Sequence, residues 1–264
     1  ASRFVIGQPT EPVLISGDGR TWRVSRNLGF ADLFTPLYYL GNRYFGADTG
    51  LGETATGWAP GAVYEDGPGP THPGPITSVA TDGTSTFLVA QDVLYGTSMS
   101  GQTWNLLRPA FPMDRIHYFK GKWFLTSSGS NQAMERSQNG VTWEAVPLVS
   151  ADQIVELGGM LYAIEFEMDR IWKSPDGITW TRYAPTLPAT YDTRDDVERV
   201  VVFEGAIIIL TEDHRLYFSS DGEIWFAVQT SFRFADVAVG NGQLVGLTED
   251  GGIVQAGRDH PGGR

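Results

Sequence analysis

Ser174-Pro-Asp176-Gly177-Ile-Thr-Trp180 is the stretch that decides the fold of this 264-residue chain, because close copies of it recur along the sequence. In each copy a Ser is followed two residues later by Asp, Asn or Ser, then by Gly, and three residues further on by Trp. The Trp positions 22, 104, 143, 180 and 225 are separated by 82, 39, 37 and 45 residues, and 82 is two periods of 41. The five copies of this phrase are Ser16, Asp18, Gly19 and Trp22; Ser98, Ser100, Gly101 and Trp104; Ser137, Asn139, Gly140 and Trp143; Ser174, Asp176, Gly177 and Trp180; and Ser219, Asp221, Gly222 and Trp225.

The sequence between the copies reads as short strands joined by tight turns. Around the fourth copy, apolar or alternating runs cover 153–157, 160–165, 170–173 and 179–183. Such runs, separated by turn signals, predict a four-stranded antiparallel meander, and no segment has a sustained helical period. A pair of residues suited to a two-residue turn with positive φ marks the first hairpin of each unit. These pairs are Gly41-Asn42, Asp82-Gly83, Lys120-Gly121, Gly158-Gly159, Glu204-Gly205 and Asn241-Gly242.

The phrase has a mechanical explanation as a turn between the third and fourth strands. The Asp or Asn side chain is suited to accept hydrogen bonds from backbone N–H groups two residues on. Gly supplies a positive φ, and Trp is expected to begin the outer strand and to pack against its own sheet. These properties predict that the phrase forms a structural turn.

A strand-and-turn repeat of about 40 residues predicts an all-β fold, a single β-propeller of four-stranded antiparallel blades over residues 1–264. Seven blades are favoured, with two incomplete ones at the termini, because the segment 4–16 matches two strands and 235–255 matches three. Six blades are the alternative when only first-strand hairpins are counted. An irregular loop rich in Gly and Pro is expected near 46–75.

The phrase resembles the Asp-box, or bacterial neuraminidase repeat (BNR), of sialidases and of many non-catalytic β-propellers. The resemblance implies that the phrase lies at the outer edge of the blades, away from the face where propellers bind ligands. A sialidase would also carry an Arg-Ile-Pro motif, an arginine triad and a Tyr–Glu nucleophile pair. This chain has no Arg-Ile-Pro, and a triad cannot be assigned, so the resemblance extends to the scaffold and not to the catalytic motifs.

Composition excludes several classes of function. The net charge is −12, with 31 acidic against 19 basic residues, which argues against a nucleic-acid partner. The absence of Cys excludes disulfides and thiolate metal sites. No apolar run is long enough for membrane insertion. No signal peptide is visible, and an extracellular or virion-surface location is expected; neither a cofactor nor a metal is predicted.

Two regions carry candidate site residues. The acidic stretch 191–199 contains Asp195, Asp196 and Glu198, which could supply an acid and a base for glycoside hydrolysis. Aromatic residues suited to stacking on a ligand occur in this stretch and in the Gly/Pro-rich loop. They are Trp58, Tyr64 and Tyr191.

These features leave three functional hypotheses open. The first is a non-catalytic recognition or scaffold propeller that binds a glycan or a protein partner, such as a bacteriophage tail or receptor-binding component or a bacterial extracellular protein. The second is a glycoside hydrolase or lyase acting on a polysaccharide. The third is an assembly factor for a multi-subunit complex. Incomplete terminal blades would expose strand edges, which suits a homo-oligomer or a larger assembly.

Overall fold

A computed structural model shows an all-β chain. Every strand pairs with its neighbours in antiparallel orientation, and the described residues contain no α-helix. No helix in this described part is long and apolar enough to cross a bilayer. The residues described are 4–6, 14–16, 20–24, 38–40, 43–47, 55–58, 76–90, 93–98, 105–109, 114–127, 133–165, 167–168, 170–192, 195–240 and 242–257.

The described strands form seven antiparallel sheets, each connected in sequence order. Four sheets have four strands, namely β7–β10, β11–β14, β15–β18 and β19–β22, and three have three strands, namely β1–β3, β4–β6 and β23–β25. The strands are β1 Phe4–Ile6, β2 Leu14–Ser16, β3 Arg23–Val24, β4 Tyr38–Leu40, β5 Arg43–Ala47, β6 Ala55–Trp58, β7 Ile76–Thr81, β8 Ser85–Ala90, β9 Val93–Ser98, β10 Asn105–Pro109, β11 Asp114–Phe119, β12 Lys122–Ser127, β13 Glu135–Ser137, β14 Glu144–Ala145, β15 Gln153–Leu157, β16 Met160–Ile164, β17 Ile171–Ser174, β18 Thr181–Tyr183, β19 Val197–Phe203, β20 Ala206–Thr211, β21 Leu216–Ser219, β22 Phe226–Ala227, β23 Phe234–Gly240, β24 Gln243–Thr248 and β25 Ile253–Gly257.

The chain divides into two compact units. Unit 1 comprises residues 1–16 and 22–152 and contains β1 to β14, whereas unit 2 comprises 17–21 and 153–264 and contains β15 to β25. In unit 1, a core cluster that includes Phe87, Ile116 and Trp123 joins the third and fourth sheets. In unit 2, a cluster around Tyr162 and Trp225 joins β15–β18 to β19–β22. A further cluster around Ile208 and Phe234 joins β19–β22 to the last sheet.

Tight two-residue turns set the register of the first hairpin in three of the four complete sheets, whereas in β7–β10 the connection has three residues and only Gly83 of the predicted pair has a positive φ, 89°. Lys120 and Gly121 have φ values of 50° and 71°, and Glu204 and Gly205 have values of 46° and 79°. Positive φ at both central residues is the conformation of a type I′ turn, whose twist matches that of the paired strands. The hairpins predicted at these dipeptides are therefore present, as is the one at Gly158-Gly159.

Three copies of the phrase are fully described, and their turns have the same hydrogen bonds. Oδ1 of Asn139, Asp176 or Asp221 accepts the backbone N–H groups two and three residues on, at 2.7–3.0 Å. The Ser hydroxyl donates to that oxygen and accepts the Gly N–H at 2.8 Å in every case. Asn139 makes the same bonds as the two Asp residues, so an amide oxygen is sufficient for this turn.

The Trp of the phrase lies just before the outer strand rather than at its first residue. The fourth strands begin at Glu144, Thr181 and Phe226, one position after Trp in each case. The indole N–H of Trp225 donates back to the Gly222 carbonyl at 3.1 Å, and that side chain is fully buried. Trp143 makes the equivalent bond at 3.0 Å and is half-buried. In these two copies the indole therefore closes the turn as well as contributing to the core.

The glycine of the phrase also allows two sheets to approach each other. A Cβ placed on Gly222 would lie 2.3 Å from the ring of Tyr162 in the preceding sheet. In unit 1, a Cβ on Gly140 would lie 2.2 Å from the ring of Phe87. The Tyr162 hydroxyl in turn donates to the Asp221 carbonyl at 2.9 Å. The turns at Gly140 and Gly222 therefore pack their backbones directly on an aromatic ring of the sheet before them.

We expect Gly222→Ala to destabilise unit 2 more than Gly159→Ala. Both glycines have a similar positive φ, 75° and 79°, but a Cβ at Gly159 meets nothing within 4 Å. Each variant incurs about 1–2 kcal/mol for the left-handed conformation, and only Gly222→Ala adds about 1–3 kcal/mol of overpacking. Urea unfolding of the two variants measures the difference, and equal losses of stability would show that the ring contact is unimportant.

We expect Asp221→Asn to reduce the acid sensitivity of the fold. Backbone N–H groups, that of Ile224 first and that of Glu223 second, hold the pKa of Asp221 below its ordinary value. A carboxyl with a lowered folded-state pKa adds stability above its unfolded pKa, and that stability is lost as the pH falls through the folded value. Urea unfolding midpoints measured between about pH 6 and pH 3 should fall less steeply for Asp221→Asn than for the native chain.

Candidate functional site

A cavity of about 450 Å³ opens on the sheet β19–β22 in unit 2. It lies between the β20–β21 turn, the start of β21 and the connection from β22 to β23. Its floor contains the buried side chains of Leu216 and Tyr217. The residues around it are Thr190, His214, Arg215, Leu216, Tyr217, Ala227, Val228, Gln229, Thr230, Ser231, Phe232 and Arg233.

The rim of the cavity combines apolar and polar side chains. Phe232 is 50% exposed, with its ring edge-on to Phe234 at a centroid distance of 6.4 Å. Val228 is also exposed, and Gln229 and Thr230 are exposed polar residues on the same connection. An exposed aromatic ring beside polar groups above an apolar floor is the ordinary composition of a binding site.

Arg215 is held in place at the edge of the cavity. Its Nε lies 2.7 Å from Oδ2 of Asp213, and its Nη1 donates to the Thr190 carbonyl at 3.1 Å. Oδ1 of Asp213 accepts the Thr211 hydroxyl at 2.6 Å. Both carboxylate oxygens are thus occupied, which fixes the guanidinium beside the cavity while half of the side chain remains exposed.

His214 joins the β20–β21 turn to the last sheet. It has a φ of 66°, and its Nδ1 lies 3.0 Å from the carbonyl of Phe234. Because a carbonyl can only accept, Nδ1 carries the proton. The Phe234 N–H donates to the His214 carbonyl at 3.0 Å, and Nε2 faces the Glu249 carboxylate at 3.2 Å. These contacts tie the two sides of the cavity together.

Of the predicted carboxylates, Asp195 interacts with Asp213 and with Arg215 at the edge of the cavity. Desolvation raises its pKa first, followed by the carboxylates of Asp213 and Asp192. Its Oδ2 is buried, with no hydrogen-bond partner among the described residues. Its backbone carbonyl accepts the Tyr191 hydroxyl at 2.8 Å. Asp195 therefore connects to the cavity through Asp213 and Arg215 rather than lining it.

Asp196 and Glu198 are placed by backbone contacts of the loop and strand. The Asp196 carbonyl accepts the Glu212 N–H at 2.9 Å, and desolvation followed by the Glu212 carboxylate raises the pKa of Asp196. Glu198 occupies the register shift of β19, where its carbonyl accepts the Gln153 amide at 3.1 Å. Its pKa is raised by desolvation first and then by Asp236. Neither residue lines the cavity.

The register shift at Glu198 belongs to the repeat. First strands β7 and β23 have the same irregularity, at Ile76/Ser78 and Phe234/Asp236. A bulge that recurs in three first strands bends each strand in the same way and is not specific to one site. No group of three acidic, His or Cys side chains among the described residues is suited to hold a metal ion.

The structure places the predicted aromatic residues differently from one another. Tyr191 is buried, with its ring edge-on to Tyr217 at 5.2 Å, so it supports the cavity floor and offers no stacking surface to a ligand. Trp58 is the last residue of β6, which pairs with β5 within the segment expected to be irregular. Its side chain, and all of Tyr64, lie outside the described residues.

Sequence reasoning missed the residues that surround the cavity. Phe232 and Arg233 lie in the six-residue connection 228–233, which contains no motif. The only available signal was Phe232 itself, an aromatic residue among polar neighbours in a segment between two strands. A large apolar side chain in such a connection indicates either burial or binding, and the structure shows it exposed.

No protein-family model and no curated protein matches the sequence. Several solved structures do match. The WD40 β-propeller domain of Doa1 is 12% identical with a TM-score of 0.67, over 98% of this chain and 90% of that one. BamB from Moraxella catarrhalis is 11% identical with a TM-score of 0.59, over 98% and 80%. YCF48 bound to D1 peptide is 15% identical with a TM-score of 0.55, over 87% and 79%.

These likenesses show the fold. The chain is an all-β propeller whose complete sheets are four-stranded and antiparallel, as predicted. The preference for seven blades over six stays a prediction, and so does the single domain over residues 1–264. The likeness of the phrase to the Asp-box stays a resemblance. The structure adds that its three fully described copies form turns with the same hydrogen bonds.

We expect Asp195→Asn to stabilise unit 2 at neutral pH. A carboxyl with a raised folded-state pKa favours folding while protonated, and that stability is lost as the pH rises through the folded value. The Asn amide has no charge to desolvate and offers Asp213 a hydrogen-bond donor at every pH. Urea unfolding at about pH 7.5 should therefore show a gain that diminishes toward pH 4; a loss at neutral pH would contradict this view of Asp195.

Proposed function

We propose that this chain is a non-catalytic recognition propeller that binds a segment of a protein partner in the cavity of unit 2. The observation that carries the proposal is the exposed ring of Phe232 beside the held guanidinium of Arg215, above an apolar floor. Among structures with the same fold, YCF48 has been solved with a bound peptide, which supports a peptide ligand for a propeller of this kind.

The cavity defines the chemistry of that segment. Leu216, Tyr217 and Ala227 provide an apolar surface for one side chain of the partner. Arg215 and Arg233 are exposed on the rim, where Asp213 lies 2.7 Å from the first guanidinium and Glu249 lies 3.9 Å from the second, so each guanidinium has an acidic neighbour that orients it. A segment with an apolar residue next to a carboxylate fits both features, and Arg can bind a carboxylate through two donors.

A glycan is the second candidate ligand. Phe232 offers a ring face, and Thr190, Gln229, Thr230 and Ser231 offer hydroxyl and amide groups around the cavity. A platform of aromatic carbon with convergent neutral polar groups suits a sugar ring as well as a peptide. Hydrolysis of such a glycan would require two carboxyl groups facing the ligand, and Asp195, Asp196 and Glu198 do not line the cavity.

We expect binding to depend on Phe232. The test probes a random dodecapeptide library and a glycan array with the native chain, with Phe232→Ala and with the control Phe226→Ala. Phe226 is 51% exposed, almost the same as Phe232, but does not line the cavity. Truncating a central aromatic contact should weaken binding by about tenfold or more, whereas the control should bind as the native chain does.

The pattern of results separates the candidates. Peptides enriched by the native chain and lost with Phe232→Ala support a protein partner. Binding only to glycans, with the same dependence on Phe232, supports the glycan instead. Binding that Phe232→Ala does not weaken overturns the cavity as the site. Release of reducing sugar from a bound glycan, abolished in Asp196→Asn, would overturn the non-catalytic proposal.

A further inference from the structure

The last sheet of unit 2 has an outer edge suited to strand pairing. Strand β25 pairs with β24 on one side, and no strand in the described part of the chain pairs with its other side. Its sequence, Ile253-Val-Gln-Ala-Gly257, contains no charge and no proline. Natural sheets protect their edges with charged residues, with proline or with very short strands.

The outer strands of the four complete sheets have such protection. β10 contains Arg108 and Pro109, and β18 contains Arg182. β14 and β22 are only two residues long. β25, the outer described strand of a three-stranded sheet, has five uncharged residues and none of these features, and it is one residue longer than the other uncharged outer strand, β6. An edge of this kind is a template for another strand.

An exposed aromatic stripe lies on the neighbouring sheet, next to this edge. Ile208, Phe218 and Phe226 are directly opposite one another on β20, β21 and β22, so their side chains share one face. Ile208 belongs to the core cluster on which Val254 of β25 packs. Phe218 and Phe226 continue the stripe outward, with ring centroids 5.5 Å apart, and are 38% and 51% exposed.

The sheet β15–β18 shows how the position equivalent to Phe218 is covered elsewhere in unit 2. Lys173 precedes Ser174 as Phe218 precedes Ser219, so the two residues are equivalent in the repeat. Lys173 lies over the Tyr183 ring and forms an ion pair with Glu223 in the turn of the next sheet. At Phe218 the basic residue is replaced by an aromatic one, so the covering group there must be apolar rather than acidic.

We propose that a second copy of this chain covers the stripe by pairing its β25 antiparallel to the first copy's β25. The required occupant is an extended, uncharged strand with a free edge and apolar side chains at alternate positions. β25 itself has all of these properties. Two identical strands in antiparallel orientation are self-complementary about a two-fold axis, which closes the assembly as a dimer.

The hydrogen bonds of the sheet decide which backbone groups of β25 are available for this pairing. The Thr248 N–H donates to the Gly252 carbonyl, so by alternation Val254 and Ala256 also direct their backbone groups toward β24. The backbone groups of Ile253, Gln255 and Gly257 then point outward. With Gln255 on the two-fold axis, these residues would form about six hydrogen bonds between the copies.

The same register places apolar side chains over the stripe. Val254 lies opposite Ala256 of the second copy, and both share the face that packs toward the neighbouring sheet. The second copy's strand therefore brings its own Val254 and Ala256 above Phe218 and Phe226 of the first. The pairing extends a three-stranded sheet into a continuous six-stranded one and buries both exposed phenyl rings.

Single cysteines test the register directly, because the chain has no native Cys. Directly opposite residues in an antiparallel pair have Cα atoms about 5.5 Å or less apart, within the range that a disulfide spans. We expect Gln255→Cys to form a disulfide-linked dimer on mild oxidation. Ile253→Cys, which faces position 257 of the other copy, should not, and neither should Gln138→Cys, an exposed Gln in unit 1.

Sedimentation velocity measures the association itself. We expect the native chain to change from monomer to dimer over about a hundredfold range of concentration. Gln255→Lys sets like charges opposite each other and should raise the dissociation constant by about tenfold, as should Phe226→Ala, which removes part of the stripe. Gln138→Lys adds the same charge in unit 1 and should leave the constant unchanged.

Each outcome decides the proposal. Dimerisation weakened by Gln255→Lys and Phe226→Ala, together with selective crosslinking at 255, supports it. A native chain that stays monomeric at the highest concentration overturns it, as does a dimer that Gln255→Lys leaves intact or equal crosslinking at 253 and 255. The cavity is tested by Phe232→Ala and the edge by Phe226→Ala, so failure of one proposal is distinguishable from failure of the other.

Discussion

The contact between a turn glycine and an aromatic ring of the preceding sheet is the constraint on which the packing of sheets depends. At Gly222 the backbone lies against the ring of Tyr162, and any side chain there would occupy the same space as the ring. The same contact joins Gly140 to Phe87 in unit 1. Glycine is thus required twice, for the sign of φ and for the close approach, whereas a turn alone would tolerate Asn.

Local chemistry explains why most of the fold could be predicted from sequence. Hairpins such as Lys120-Gly121 and turns such as that of Asp176 depend on residues within four positions of one another. The partner of Gly222 lies 60 positions earlier, at Tyr162, and no pattern in the sequence identifies it. The outer strands also begin one residue later than predicted, at Glu144, Thr181 and Phe226, each directly after the Trp of the phrase.

The candidate site was less predictable because the residues that form it are also far apart in the sequence. The many acidic residues in 191–199 suggested Asp195 and Asp196 as site residues, and both belong to a loop that contacts the β20–β21 turn. Their main contribution, however, is through backbone carbonyls that hold the loop. The cavity is assembled from Thr190, the turn at His214 and the connection that ends in Arg233, three segments that only the packing of adjacent strands brings together. Tyr191 is buried, and its hydroxyl donates a hydrogen bond to the Asp195 carbonyl within that loop.

The two proposed surfaces lie on the neighbouring sheets β19–β22 and β23–β25. Between the sheets β15–β18 and β19–β22, the phrase turn, Tyr183 and Lys173 fill the outer gap, and little binding surface remains. The sheet β23–β25 supplies only three strands in the described residues, so Phe218 and Phe226 have no such cover. Both proposed surfaces therefore lie outside the residues of the phrase that defines the repeat.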